Sequence, residues 1–165
     1  MVFLIQAGCG TIENVKYFAE FSEDPADAQK LEYVRTIQTR FLNDAARYGV
    51  SPKFLPITVQ FATDAEIAKA MRLNGSPASP NNVAVCFFAP RLILFSRDWW
   101  IRLDNGWVYN AELMHRENIY HEMAHCALNV YEHYDAAKDI MNTRAFEMHP
   151  DDWEYYVAKL FARER

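Results

Sequence analysis

The sequence lacks the features that mark several large classes of protein. It has no apolar run near the roughly 18 residues that a membrane-spanning helix needs, and no segment repeats along the chain. Only three of its 165 residues are cysteine, which excludes the disulfide framework of a small secreted domain. Positive charge is also scarce. Seventeen Lys and Arg residues are scattered along a chain of net charge −5, which argues against nucleic acid as the main partner.

What remains is an ordinary globular composition, with 51% apolar and 24% charged residues in a length typical of one domain. The distribution of histidine is the unusual feature. All five histidines lie between His115 and His149, and three of them fall in the thirteen residues from His121 to His133. Clustered imidazoles are typical of a metal site.

The first residues have one feature of an export signal. Ala7-Gly8-Cys9 resembles the end of a bacterial lipoprotein signal, in which the cysteine is lipid-modified. However, no basic segment precedes the apolar residues 2–5, and that run is shorter than the roughly 7–15 residues such signals need. We therefore expect a short buried strand here, and the localisation stays open.

Periodicity and turn residues predict one α+β domain over residues 1–165. The first helix is expected at residues 24–48, with Asp24 as its N-cap and Pro25 in its first turn. The other helices are predicted at 64–73, 110–130 and 151–163, and the strands at 57–61, 83–88 and 92–95. Residues 74–82 form the most loop-like stretch. We expect a small mixed sheet packed on the N-terminal helix and on the helix at 110–130, with a last helix at the C-terminus.

The predicted helix at 110–130 carries His121-Glu122-Met123-Ala124-His125, a match to the pattern H-E-x-x-H. Residues four apart on a helix lie about 40° apart around its axis, so the two imidazoles point to one place. Two neutral imidazoles suit Zn²⁺, and Glu122 can reach a metal-bound water without binding the metal itself. Because zinc lowers the pKa of that water and the carboxylate takes its proton, the pattern predicts a nucleophile at neutral pH.

His133 is the predicted third metal ligand, since it follows the motif after seven intervening residues. The chain must leave the helix near Asn129 to bring His133 back to the metal. Asparagine is the non-glycine residue that best tolerates the left-handed backbone required there. Asp135 is the alternative third ligand, and Glu147 or His149 is a more distant one.

This arrangement resembles the zincin metallopeptidases, and more narrowly the metzincin-like small metallopeptidases of bacteria and phages. Those proteins have a cysteine-containing strand, an edge strand, a tryptophan, a helix with H-E-x-x-H-C, a third histidine and an Ile-Met-Asn turn. The resemblance covers about residues 57–143. The matching residues occur in the same order: Ala84-Val85-Cys86, Leu92-Ile93-Leu94, Trp99-Trp100, the helix segment ending at Cys126, His133, and Ile140-Met141-Asn142.

The resemblance implies a zincin-like fold, a zinc cofactor and an endopeptidase activity on a peptide or protein substrate, with Glu122 as general base. The implied zinc ligands are His121, His125 and His133. The strand at 92–95 would be the edge strand that pairs with extended substrate, and Met141 would form the turn beneath the three histidines. One departure concerns spacing. Leu128 and Tyr131 occupy the positions of the metzincin glycine and third ligand, so the loop is two residues longer and Asn129 stands in for the glycine.

The sequence also suggests roles for other residues near the motif. Packing as in the family would bring Cys86 and Cys126 together, either as a disulfide or as two buried thiols. Asp139 and Asp135 are candidates for orienting imidazoles. His115 lies off the metal face, and we expect it to be a polar surface residue.

Two alternative functions stay open. Peptide deformylase also uses H-E-x-x-H, with a cysteine ligand upstream that Cys86 could supply, but its glycine-rich motif is missing. The other alternative is a structural or adaptor protein of a larger assembly, for example a virion component with vestigial activity. Glu122 argues against it, because a purely structural zinc site has a closed fourth ligand position.

Overall fold

The structure, a computed structural model, describes Phe21 and residues 24–73, 83–107, 110–133, 139–142 and 148–164. The expectations for the N-terminal strand and Cys9, for the loop 74–82, and for Asp135 and Glu147 fall outside the described residues. Within them, the chain has the predicted α+β organisation in a single domain, with five α-helices and a three-stranded mixed sheet.

The helices are α1 (Asp27–Arg47), α2 (Asp64–Leu73), α3 (Arg97–Arg102), α4 (Ala111–Met123) and α5 (Trp153–Ala162). The strands are β1 (Thr58–Ala62), β2 (Ala84–Phe87) and β3 (Leu92–Ser96). An irregular helical turn at Leu103–Trp107 follows α3, a π-helical turn at Ala124–Leu128 continues α4, and a 3-10 turn at Pro150–Asp152 precedes α5. The elements expected from periodicity are therefore present. Helix α3 was not predicted, because six residues are too few to establish a helical period.

Helix α1 begins later than expected. Asp24 is not its N-cap: the Asp24 carboxylate accepts the backbone N–H of Ala26 at 2.9 Å, in a turn that precedes the helix. The N-cap position is Ala26, which has no capping side chain. The helix ends as predicted at Gly49, whose φ of +74° is a left-handed conformation that glycine adopts without steric cost.

The sheet has the order β1-β3-β2, with β1 parallel and β2 antiparallel to β3. The expectation that residues 92–95 form an edge strand is wrong. β3 is the central strand, and β1 and β2 are the two edges among the described residues. All five residues of β3 are buried. A continuous apolar run such as Leu92-Ile93-Leu94-Phe95 is typical of a strand covered on both faces, which agrees with the burial of β3.

Helix α4 lies in the interior of the domain. Asn110 caps it by accepting the N–H of Leu113 at 2.9 Å, and every residue from Glu117 to Met123 is buried. Helix α1 packs against it, with Phe41 and Tyr120 in edge-to-face contact at 5.2 Å. Phe41 also contacts Phe161 of α5 at 5.2 Å between ring centroids. The helix that carries the histidine motif also packs against β2, and its Tyr120 ring contacts Trp153 of α5 at 4.9 Å between centroids.

Among the described residues, none of the helices combines the length and the apolar character that crossing a bilayer requires.

Phe41→Ala should destabilise the domain by about 3–5 kcal/mol, because it removes a fully buried ring from the junction of three helices. Tyr155→Ala is the matched control on an aromatic residue that is 64% exposed, and it should cost less than about 1 kcal/mol. Chemical denaturation of the two variants measures both values. Equal effects would contradict the packing described here.

Candidate metal centre

The exit from the motif helix is the first determinant of the site. Helix α4 passes at Ala124 into the π-helical turn, and Asn129 then adopts φ 65° and ψ 35°. This left-handed conformation at Asn129 confirms the prediction. The turn at Asn129 is closed by a hydrogen bond from its N–H to the carbonyl of His125 at 3.1 Å. The chain therefore turns back immediately after the motif, and residues 130–133 run beside the helix they have just left.

The turn brings three imidazoles together. The Nε2 atom of His125 lies 3.0 Å from Nε2 of His121 and 3.2 Å from Nε2 of His133. The ligand atoms of the three residues all lie within 4.8 Å of one another. His121 and His125 are buried and His133 is partly buried. The structure thus places His133, of the candidate third ligands that it describes, beside the H-E-x-x-H pair.

The outer nitrogens of two of these rings are held by the backbone. Nδ1 of His121 lies 2.7 Å from the carbonyl oxygen of Ile140, and Nδ1 of His125 is hydrogen-bonded to the carbonyl oxygen of Val130. A carbonyl oxygen only accepts, so each Nδ1 carries a proton and donates it. Burial lowers the pKa of His121 to about 4 and the pKa of His125 well below its ordinary value, so both rings are neutral at pH 7.

It follows that the Nε2 atoms of His121 and His125 face each other with lone pairs and no proton between them. Such a contact is unfavourable on its own and becomes favourable around a cation. Tetrahedral zinc at about 2.0–2.1 Å from each nitrogen would place those nitrogens about 3.3–3.4 Å apart. The Nε2 atom of His125 lies 3.0 Å from that of His121 and 3.2 Å from that of His133, which is shorter than this value by a few tenths of an ångström at most. The three histidines therefore fit a zinc ion in donor type and in the two separations measured from His125, and the backbone fixes the required tautomer of His121 and His125.

Glu122 is buried beside β2, with 1% of its surface exposed. The backbone N–H of Cys86 hydrogen-bonds to its carboxylate, and among the described residues its Oε2 atom has no partner. Burial raises the pKa of Glu122 to about 8, against a smaller lowering effect from the Cys86 N–H. The carboxylate is thus held at one side and keeps one oxygen available for a proton.

Cys86 and Cys126 form a disulfide, with their Cα atoms 5.7 Å apart. This resolves the choice between a disulfide and two thiols. The bond ties strand β2 to the π-helical turn, next to His125. It also removes the basis of the deformylase alternative, since Cys86 has no thiol with which to bind a metal.

The turn at Ile140 and Met141 lies against His121, as the carbonyl contact above shows. Met141 is fully buried, as expected for a residue beneath the histidines. Asp139 does not touch an imidazole, in contrast to one expectation. Its Oδ1 atom instead accepts the N–H of Met141 at 2.9 Å, so it holds the turn rather than a ring.

The two remaining histidines do not join the cluster. His149 is exposed, and its Nδ1 accepts the N–H of Asp151 at the start of the C-terminal helical segment. It is therefore not the third member of the group. His115 is buried, so the expectation of a surface residue is wrong. Its ring stacks on Trp100 at 3.8 Å, and its Nε2 lies 3.1 Å from the carboxylate of Asp104.

Sequence reasoning missed Arg91. Its guanidinium donates to the carbonyl of Cys126 at 3.1 Å and to Oδ1 of Asn129 at 3.0 Å, and so clamps the exit of the motif helix. The last carbonyls of a helix have no partner within the helix, and a charged donor satisfies one of them here. Arg91 lies 35 residues before Cys126 in the chain, and no local pattern signals a contact at that distance.

Comparison with known proteins gives no relative: no family model, no curated protein and no solved structure matches the chain.

His133→Ala should reduce the zinc content of the protein from about one ion per chain to a small fraction, since two imidazoles alone are a weak site. His149→Ala removes an exposed histidine outside the cluster and should leave zinc content unchanged. Elemental analysis of both variants after equal exposure to zinc and gel filtration makes the comparison. Full zinc in His133→Ala, or equal loss in both, would contradict the assignment.

Proposed function

We propose that the protein is a zinc-dependent metallopeptidase of the zincin class, similar to the small metzincin-like enzymes. The observation that carries the proposal is the convergence of three Nε2 atoms, two of which the backbone holds as lone-pair donors. The buried carboxylate of Glu122 belongs to the residue directly after His121. This combination of three imidazoles and one carboxylate that is not a ligand is typical of catalytic zinc sites, which keep one coordination position open.

His121, His125 and His133 would hold the zinc ion, which when bound supplies Lewis acidity that activates water and polarises a carbonyl oxygen. Glu122 would act as the general base in its ionised form, which the positive charge of a bound zinc ion would favour over the neutral form that burial favours. Its Oε2 takes a proton from the attacking water and returns it to the leaving amine nitrogen, while the Cys86 N–H keeps the carboxylate in place. Burial of Glu122 also excludes bulk water from the carboxylate, which favours transfer to the reacting groups.

The sheet suggests where an extended substrate would bind. β3 is central, so its backbone groups are already paired with β1 and β2. Of the two edges, β2 is the one connected to the site, through the disulfide to Cys126 and the hydrogen bond from Cys86 to Glu122. We therefore place the reacting part of the substrate on the β2 side of the site.

Glu122→Gln should lower the turnover number by about 10²–10⁴-fold, because the amide cannot accept the proton of the attacking water. Zinc content should be unchanged, since Glu122 is not one of the three clustered ligands. Glu112→Gln is the matched control, because it makes the same substitution on the exposed face of the same helix and should retain full activity. The assay uses zinc-loaded protein with fluorescently labelled casein and a mixed peptide library.

The same comparison tests the alternative of a structural or adaptor domain. If zinc-loaded wild type and Glu122→Gln are indistinguishable on every substrate while both hold zinc, the peptidase proposal is wrong. The site would then serve to stabilise a part of a larger assembly.

A further inference from the structure

We propose that Asp139 is a positioning residue for the metal centre, and that two cations, Lys159 in helix α5 and Arg163 directly after it, set its position. The proposal rests on the proposed function in one respect, namely that His121 is a metal ligand. Helix α5 lies outside the region that resembles the metallopeptidases. The structure nevertheless connects it to His121 through a short series of contacts.

The first part of this series is the turn at residues 139–142. Oδ1 of Asp139 accepts the N–H of Met141 at 2.9 Å, and the main-chain carbonyl of Asp139 accepts the N–H of Asn142 at 3.1 Å. A carboxylate that bonds the backbone two residues on is a recurrent way to fix a tight turn. Asp139 thus determines the conformation of the residue between these two bonds, Ile140.

The second part is the carbonyl of Ile140, which accepts the Nδ1–H of His121 at 2.7 Å. This contact sets both the tautomer and the orientation of the ring. A shift of the Ile140 carbonyl would rotate the His121 ring and move Nε2 away from the point where the three histidines meet. The geometry of the first ligand therefore depends on a turn that lies 18 residues later in the chain.

The third part is the charge that surrounds Asp139. Its side chain is 1% exposed, and its Oδ2 atom forms ion pairs with Arg163 at 2.7 Å and with Lys159 at 3.2 Å. Lys159 belongs to α5 and Arg163, four residues on, is its C-cap residue with helical backbone angles, so the two side chains lie on the same side of the helix. A buried carboxylate without such partners would carry a large desolvation penalty. Lys159 and Arg163 offset that penalty at Oδ2, while Oδ1 bonds the turn.

Asp139→Ala should weaken zinc binding about 10–100-fold, which is the usual effect of losing a group that orients a ligand. The affinity is measured by competition with a chromophoric zinc chelator. Because Asp139 acts through His121, the visible absorption of the cobalt-substituted protein should change as well. That spectrum reports the geometry of the ligands and does not respond to a loss of stability alone.

Asp27→Ala is the matched control. Asp27 forms a buried ion pair with Arg97 at 2.7 Å, comparable in burial and distance but part of helix α1. Its removal should destabilise the fold while zinc affinity and the cobalt spectrum stay as in the wild type. Equal changes in the two variants, or wild-type affinity and spectrum in Asp139→Ala, would overturn the proposal.

A rescue experiment separates positioning from the cost of an unpaired charge. Lys159→Gln with Arg163→Gln should weaken zinc binding, because it leaves the Asp139 carboxylate buried without a cation. Adding Asp139→Asn removes that charge and keeps an oxygen acceptor for the Met141 N–H, so the triple variant should regain most of the affinity. It also remains informative if Asp139→Ala does not fold. No recovery in the triple variant would count against the proposal.

His121→Ala, measured in parallel, distinguishes this proposal from the proposed function. Loss of zinc in His121→Ala with wild-type binding in Asp139→Ala overturns the positioning role alone. Wild-type zinc affinity in His121→Ala overturns both the positioning role of Asp139 and the proposed function.

Discussion

The site depends on two hydrogen bonds that run from imidazoles to the backbone. Nδ1 of His121 donates to Ile140 and Nδ1 of His125 donates to Val130, so each ring is fixed as the tautomer with a lone pair on Nε2. The two carbonyls lie in different parts of the chain. The carbonyl of Val130 directly follows the left-handed turn at Asn129, and the carbonyl of Ile140 belongs to the turn that contains Met141. The convergence of the ligands therefore depends on two turns rather than on the helix alone.

Each of these turns is held by groups remote in sequence. Arg91, in the turn between β2 and β3, bonds the helix exit at Cys126 and Asn129. The disulfide between Cys86 and Cys126 fixes β2 against the same segment. The carboxylate of Asp139 fixes the second turn and is paired with cations of α5. Because these supports come from the sheet and from the end of the last helix, the arrangement of the three histidines depends on distant parts of the domain and not only on the H-E-x-x-H segment.

What the sequence predicts correctly about the site is local. The four-residue spacing of His121 and His125 requires only a helix, and the exit at Asn129 follows from the backbone preference of one residue. The features that were mispredicted depend on contacts between distant segments. The central position of β3 depends on its parallel pairing with β1 on the side opposite β2. The burial of His115 depends on Trp100, which belongs to a short helix without a detectable period. Asp139 was considered as a partner of an imidazole, but its actual role required knowledge of where α5 packs.

The central claim is that three imidazoles, and no sulfur, surround one zinc ion. Zinc K-edge X-ray absorption of the zinc-loaded protein tests it most directly, because this method counts imidazoles and distinguishes nitrogen from sulfur by distance. The account predicts three imidazole nitrogens at about 2.0–2.1 Å and one further light atom. A sulfur shell at about 2.3 Å, or fewer than three imidazoles, would contradict it.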